Sequence, residues 1–215
     1  MSVSLPNGST VSIASGYGSS KTVTAISNAN PGIVSATAHG FSDGDYVEIT
    51  SGWSKLTNRV VRADTILTDS FAMEGIDTTS TTLYPAGAGA GSARDITGWT
   101  QLAQITNSTS EGGEQQFLTY QFLEADAESR IPTTKTAAGI TFTVADDPTL
   151  PGYILAKQAN DDRLPRAVLV TLSNGGKLLY NAYISLSVIP SLTVNELMTV
   201  QVTLSLLGEP VRYAS

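Results

Sequence analysis

The stretch AHGFSDGDYVEI, residues 38–49, holds the chain's single histidine, His39, four residues ahead of Asp43. A histidine oriented by a carboxylate can act as general base toward a serine, the arrangement of a hydrolase. Here the two lie close in sequence, and no G-x-S-x-G turn supplies a nucleophile. His39 therefore reads as a residue beside a turn, its ring packed near Phe41. Asp43-Gly44-Asp45 could ligate calcium, but the spacing of acids in a calcium loop is missing, so the same residues read as a turn before a strand. Asp146-Asp147 and Asp161-Asp162 flank a predicted helix. The first pair suits the positive end of the helix dipole, and the second reads as a solvated loop. Paired carboxylates can cleave glycosides, but no cluster of Trp and Tyr accompanies these, and Trp53 and Trp99 read as packing residues. GAGAG lacks the Lys and Ser/Thr of a phosphate loop. Asn7-Gly8-Ser9 and Asn107-Ser108-Thr109 match a glycosylation pattern, which is read as accidental without a secretion signal. The expectation is no catalytic residue, no metal site and no cofactor, hence no enzyme.

The elements that position these residues are strands. The chain has 215 residues, enough for one large all-β domain or two smaller ones. Only 14% of residues are charged, with 19 Gly and many Thr and Ser, which suggests β structure whose surface is buried by assembly. The net charge of −7 argues against a surface that grips nucleic acid, since phosphate binding needs clustered Lys and Arg. There is no Cys, so no disulfide framework. No signal peptide is visible at MSVSLPNGST, and no apolar run is long enough to serve as a membrane anchor.

Residues 1–20 predict a hairpin around Asn7-Gly8. Residues 22–91 predict short strands in TVTAIS, GIVSATA, DYVEIT, NRVVRA, SFAMEGI and TTLYPAG, the pattern of a small barrel or sandwich. This segment holds seven acids and three bases, −4 of the net charge. PAGAGAGS, residues 85–92, reads as a linker. Longer strands follow in GWTQLAQIT, EQQFLTYQFL, GITFTVA, RAVLVTLS and GKLLYNAYISLSVI, with SNGG as a hairpin turn. One short helix is expected in PTLPGYILAKQANDD, lying on the sheet surface, with Asp147 or Thr149 as cap and Pro151 in its first turn. The last strand lies in ELMTVQVTLSLLGEP. Met198, Val200, Val202, Leu204 and Leu206 share one parity, and Thr199, Gln201, Thr203 and Ser205 the other.

The order of these features resembles the major tail-tube proteins of phages with long non-contractile tails. DITGWTQLAQI, GGEQQFLTYQFLEADAESRIPTTKT, ITFTVADDP and AVLVTLSNGGKLLYNAYISLSVIPSLTVNELMTVQVTLSLLGEP carry the match. GIVSATAHGFSDGDYVEITSGWSKLTNRVVRA…SFAMEGIDTT looks like a small β module inserted in many such proteins. The resemblance implies an all-β chain with one short helix. Residues 1–21 and 92–215 would form an antiparallel β-sandwich or barrel tail-tube domain, and residues 22–91 an inserted small β-barrel on the tube exterior. Six subunits would close into a ring, and rings would stack into a virion tube that conducts double-stranded DNA without binding it specifically. Assembly in the host cytoplasm is implied, as are tape-measure, tail terminator and baseplate partners.

Thr199, Gln201, Thr203 and Ser205, then Gln116, Thr119 and Gln121, are the candidate channel-lining residues, because an uncharged wall lets a polyanion slide. Loops are expected to carry ring-to-ring contacts. Residues 106–114 are read as poor in local structure and mobile until rings stack. They include Ser108, Thr109, Ser110, Glu111, Gly112 and Gly113. Residues 124–136, with Glu124, Asp126, Glu128 and Arg130, and residues 209–215, with Arg212, are further candidates. The competing readings are a virion adhesin or carbohydrate-binding β-sandwich and a small all-β hydrolase.

Overall fold

The computed structural model describes residues 7–214. The first strand of the hairpin expected around Asn7-Gly8 lies outside the described residues. In chain order the strands are β1 (Thr10–Tyr17), β2 (Lys21–Val23), β3 (Ala25–Ile26), β4 (Ile33–Ser35), β5 (Tyr46–Ser51), β6 (Arg59–Leu67) and β7 (Ser70–Met73). There follow β8 (Gly91–Leu102), β9 (Ile105–Glu111), β10 (Gln115–Tyr120), β11 (Ser129–Lys135) and β12 (Gly139–Ala145). The helix α1 (Pro151–Asp162) precedes β13 (Arg166–Thr171), β14 (Lys177–Leu186), β15 (Thr199–Leu206) and β16 (Val211–Tyr213). The chain is thus all-β and antiparallel with one helix, as expected. Fourteen strands form one continuous sheet, ordered β3-β4-β7-β6-β5-β8-β1-β13-β14-β15-β12-β9, with β2 on β8 and β16 on β14. Among the described residues the strands β10 and β11 pair only with each other, as a separate ribbon.

The long strand β8 joins two packing regions. Its first half pairs with β5, from Ser51 opposite Gly91 to Val47 opposite Asp95. Its second half pairs with β1, from Tyr17 opposite Ile96 to Val11 opposite Leu102. One core gathers Val23, Val34, Trp53, Leu56, Phe71 and Met73 with Leu179, Val211 and Tyr213. The other gathers Ile13, Phe142, Tyr180, Val200, Val202 and Leu204 beneath α1. Burying each such side chain contributes roughly 1.5–3 kcal/mol, so alternation along the strands decides which face turns inward.

Several local expectations change once packing is seen. PAGAGAGS is no free linker. Gly89 lies against the Trp53 ring, the Trp53 indole N–H donates to the Pro85 carbonyl at 2.8 Å, and Gly91 already starts β8. TTLYPAG makes turns rather than a strand, because Tyr84 is drawn onto Trp53, with ring centroids 5.2 Å apart. GWTQLAQIT is broken after Leu102, where Gln104 takes a left-handed φ of 58°, so β8 and β9 are separate strands. The hairpin SNGG forms as expected, with Thr171 opposite Lys177 and Gly175 at φ 85°.

Pro151 opens α1 as expected, but the cap is Leu150 in extended conformation, with no side-chain bond. Asp147 instead accepts the N–H of Thr149 at 3.0 Å and its hydroxyl at 2.6 Å, a turn that leads into the helix. Asp162 is the last helical residue rather than a loop residue, and it pairs with Arg166 at 2.5 Å. Tyr153, Leu155, Ala156 and Ala159 are buried against the sheet. Gly152 brings the helix onto β8: an added Cβ would collide with the Gln101 carbonyl and lie 2.9 Å from the Leu102 Cα. In an exposed helix Gly→Ala stabilises. Here Gly152→Ala is expected to destabilise by about 1–3 kcal/mol through overpacking, read as a lower urea midpoint.

Candidate functional site

The last long strand, β15, buries Val200, Val202 and Leu204 and turns Thr199, Gln201, Thr203 and Ser205 outward. Met198 and Glu196 fall before the strand, which is eight residues long rather than about ten. Register extends the outward row across its neighbours. Gln201 stands opposite Thr143, and Thr143 opposite Asn107. Thr203 stands opposite Thr141, with hydroxyls 3.2 Å apart, and Thr141 opposite Thr109. On the other side, Thr203 faces Ser185 and Ser205 faces Tyr183. Directly opposed residues share a face. The result is a sheet surface of hydroxyl and amide groups over β14, β15, β12 and β9, on which Glu111 is the one charge among these paired positions. Thr141, Thr143, Asn107 and Ser185 belong to this surface and were missed from sequence. The alternation in GITFTVA was visible, but its register against β15 was not.

Gln116, Thr119 and Gln121 do not join this surface. Gln116 and Thr119 lie on β10 in the ribbon, where Thr119 opposes Arg130, and Gln121 follows the strand and donates to the Ala125 carbonyl at 2.8 Å. The segment expected to be structureless, 106–114, is mostly the edge strand β9. Ser108, Thr109, Ser110 and Glu111 pair along β12, because an alternating partner in register outweighs a polar, β-neutral composition. Gly112 and Gly113 then turn the chain at φ 74° and 76°. The side chains from Thr106 to Glu111 are exposed, and among the described residues β9 pairs with β12 alone. The 124–136 segment is likewise partly strand: Glu124, Asp126 and Glu128 sit at the ribbon tip, while Arg130 lies in β11. In the C-terminal segment Arg212 is exposed in β16, opposite Leu178, so this too is a paired strand rather than a loop.

Both faces of the ribbon are exposed among the described residues. Phe117, opposite Pro132, and Leu118, opposite Ile131, are all exposed. At its base, Lys135 and Lys55 reach Glu209 at 3.3 and 3.5 Å, and the hydrogen bond from Lys135 holds the Glu209 carboxyl below its ordinary pKa.

The sequence motifs that suggested chemistry resolve into packing. His39 is buried, its Nε2 bonded to the Leu67 carbonyl at 2.8 Å and its Nδ1 accepting the Phe41 N–H at 3.0 Å. Its ring lies 4.9 Å from Phe41, as expected. Asp45 accepts the Ser42 N–H at 2.7 Å, closing the turn at Gly44. The buried Glu48 binds Arg94 at 2.6 Å and accepts the Asn181 amide N–H at 2.8 Å, joining β5, β8 and β14. The Arg94 guanidinium covers the Tyr17 ring at 4.0 Å, and burial raises the Tyr17 pKa. Glu48→Ala is expected to cost about 2–3 kcal/mol. That is less than the ~3–5 kcal/mol of a fully buried pair, because the Arg94 side chain is 38% exposed. Urea denaturation measures the difference.

Among the described residues β9 stands at the edge of the sheet and the ribbon pairs with no strand of it, and such edges are templates for further chains. A family model described as "Phage tail tube protein, TTP" matches residues 51–215, and the chain belongs to this family of structural virion proteins. That membership implies a structural role in assembly with other tail proteins. Among solved structures, the chain is similar to the anti-feeding prophage cap (AFP tube terminating cap). The match is 18% identical, covers 54% of this chain and 83% of that one, and has a TM-score of 0.38. No curated protein matches the chain.

Proposed function

We propose that this chain closes into hexameric rings that stack into the tube of a long non-contractile phage tail, through which double-stranded DNA leaves the capsid. The hydroxyl and amide surface built on Thr199, Gln201, Thr203 and Ser205 lines the bore. The observation that carries this reading is that surface: it is broad, outward-facing and without Lys or Arg among its paired positions. DNA carries about one negative charge per 1.7 Å, so a wall without cations offers it no series of contacts at which to stall. The edge strand β9 supports lateral closure, since its outer edge is a template for a neighbour's strand. Residues 22–91 form a module on the exterior, where excess acid keeps tubes apart. Subunits assemble in the host cytoplasm around a tape-measure protein, and terminator and baseplate proteins close the ends. Negative-stain microscopy of the purified chain tests this. Rings or hollow tubes of constant diameter are expected, and a dispersed monomer at high concentration would remove the proposal.

A further inference from the structure

The short strand β16 follows the alternation of its sequence: Val211 and Tyr213 are buried, and Arg212 between them is exposed. Its backbone pairs with β14, from Leu179 opposite Val211 to Lys177 opposite Tyr213. Its side chains reach further. Val211 and Tyr213 lie in the same core as Val60 and Val61 of β6 and Phe71 and Met73 of β7. The Tyr213 hydroxyl accepts the Arg62 N–H of β6 at 2.8 Å and donates to the Glu74 carbonyl, just after β7, at 3.3 Å. The Arg62 guanidinium, itself paired with Glu74, lies 4.7 Å from the centre of the Tyr213 ring.

Sheet order shows what these contacts join. The strands β5, β8, β1 and β13 stand between β6 and β14, yet β6 and β14 approach each other in space. The sheet therefore curls until β6 meets β14, and among the described residues no backbone ladder joins the two. β16 stands at that seam, with its backbone on β14 and its phenol on β6. Beside the seam, Glu209 reaches Lys55 and Lys135 through exposed side chains, contacts that salt screens. The flanking strands are held by ladders of their own, β6 by β5 and β7, and β14 by β13 and β15. β16 can therefore lift without breaking any of those ladders, and segments of this kind open locally while the rest stays folded.

We propose that β16 is a clasp: it opens as a unit, leaves both cores folded, and in opening frees β6 and β7 from β14. Closed, it covers the seam. Open, it exposes the edge of β14 at Lys177–Leu179 and the apolar seats of Val211 and Tyr213. The clasp works within one chain, so it stands apart from the function proposed above.

Hydrogen exchange of the full chain, read by mass spectrometry over proteolytic fragments, tests this. Tyr213→Phe keeps the ring and removes both hydroxyl bonds. Exchange in fragments spanning Arg59–Glu74 is expected to rise about tenfold, with β12 and β15 unchanged. A lock gives the opposite arm. The chain has no cysteine, so Leu178→Cys with Arg212→Cys carries the only thiols, at directly opposed positions of β14 and β16. Cα atoms so opposed lie within reach of a disulfide. Oxidised, this variant is expected to exchange about tenfold more slowly at Arg59–Glu74 than its own reduced form. Three results overturn the clasp: unchanged exchange at Arg59–Glu74 in Tyr213→Phe, a rise there that β12 and β15 share equally, or equal exchange of the locked and reduced chains. Should the cysteine variant not fold, Tyr213→Phe decides alone.

Discussion

Tubes built from a Gln201→Lys, Thr203→Lys chain are expected to assemble and to conduct DNA at least tenfold more slowly than the parent at low salt. Both side chains point away from the core, Gln201 fully and Thr203 partly exposed, so the ammonium groups meet no buried surface. The local loss is the bond between the Thr203 and Thr141 hydroxyls, about 1 kcal/mol. In the proposed tube the gain of charge is repeated in every subunit of every ring. Each lysine that neutralises a phosphate releases a counterion, and binding then falls with log salt with a slope of about −0.9 per contact. Only about 1.4 kcal/mol of added retention slows passage tenfold. The salt dependence separates this from a folding defect: ejection should recover as salt rises, whereas a misassembled tube would not be rescued. Ejection from purified virions, followed by a DNA-binding dye across a salt series, measures it. Unchanged kinetics at every salt concentration would place this surface away from DNA.

Removing the ribbon is expected to abolish polymerisation while leaving a folded subunit. Residues 114–136 are replaced by Asn-Gly, a pair suited to a tight turn. The two ends are already adjacent, since the Gly113 N–H donates to the Thr136 carbonyl at 3.2 Å. Among the described residues β10 and β11 pair only with each other, and neither core includes a residue of 114–136. The melting temperature should therefore shift by only a few degrees, on the order of a 1 kcal/mol change, while microscopy finds no tubes. Deleting Ser108–Gly113 instead is a poorer experiment. It strips β9 from β12 and exposes the backbone of a strand that now caps the sheet. Full-length tubes from the ribbonless chain would show that stacking uses other surfaces.

Much of this architecture is written in local pattern. The alternation Val200, Val202, Leu204 against Thr199, Gln201, Thr203, Ser205 predicts β15 and both of its faces, because side-chain period follows from strand geometry alone. SNGG predicts the β13–β14 turn, Pro151 the first turn of α1, and GITFTVA the strand β12 to the residue.

Pairing across long sequence separation is decided elsewhere. A composition of Thr, Asn, Ser and Glu gives Thr106–Glu111 little reason to be a strand until Phe142 and Val144 hold β12 on the core and offer it an edge. PAGAGAGS looks free until Trp53 and Tyr84 occupy the space above it. Glu48 looks like one of several surface acids until the sheet brings Asn181, 133 residues away, within 2.8 Å of it. Gln116 and Thr119 look like companions of the β15 row until pairing sets them in the separate β10–β11 ribbon. The sequence by itself determined the class of elements, their faces and the uncharged character of the exposed rows, since these depend on neighbours two to four residues apart. Tertiary structure alone decided register, which strand stands at the edge of the sheet among the described residues, and the setting of the β10–β11 ribbon apart from that sheet. Those depend on which distant segments compete to bury the same core, and that competition is settled by packing the whole chain at once.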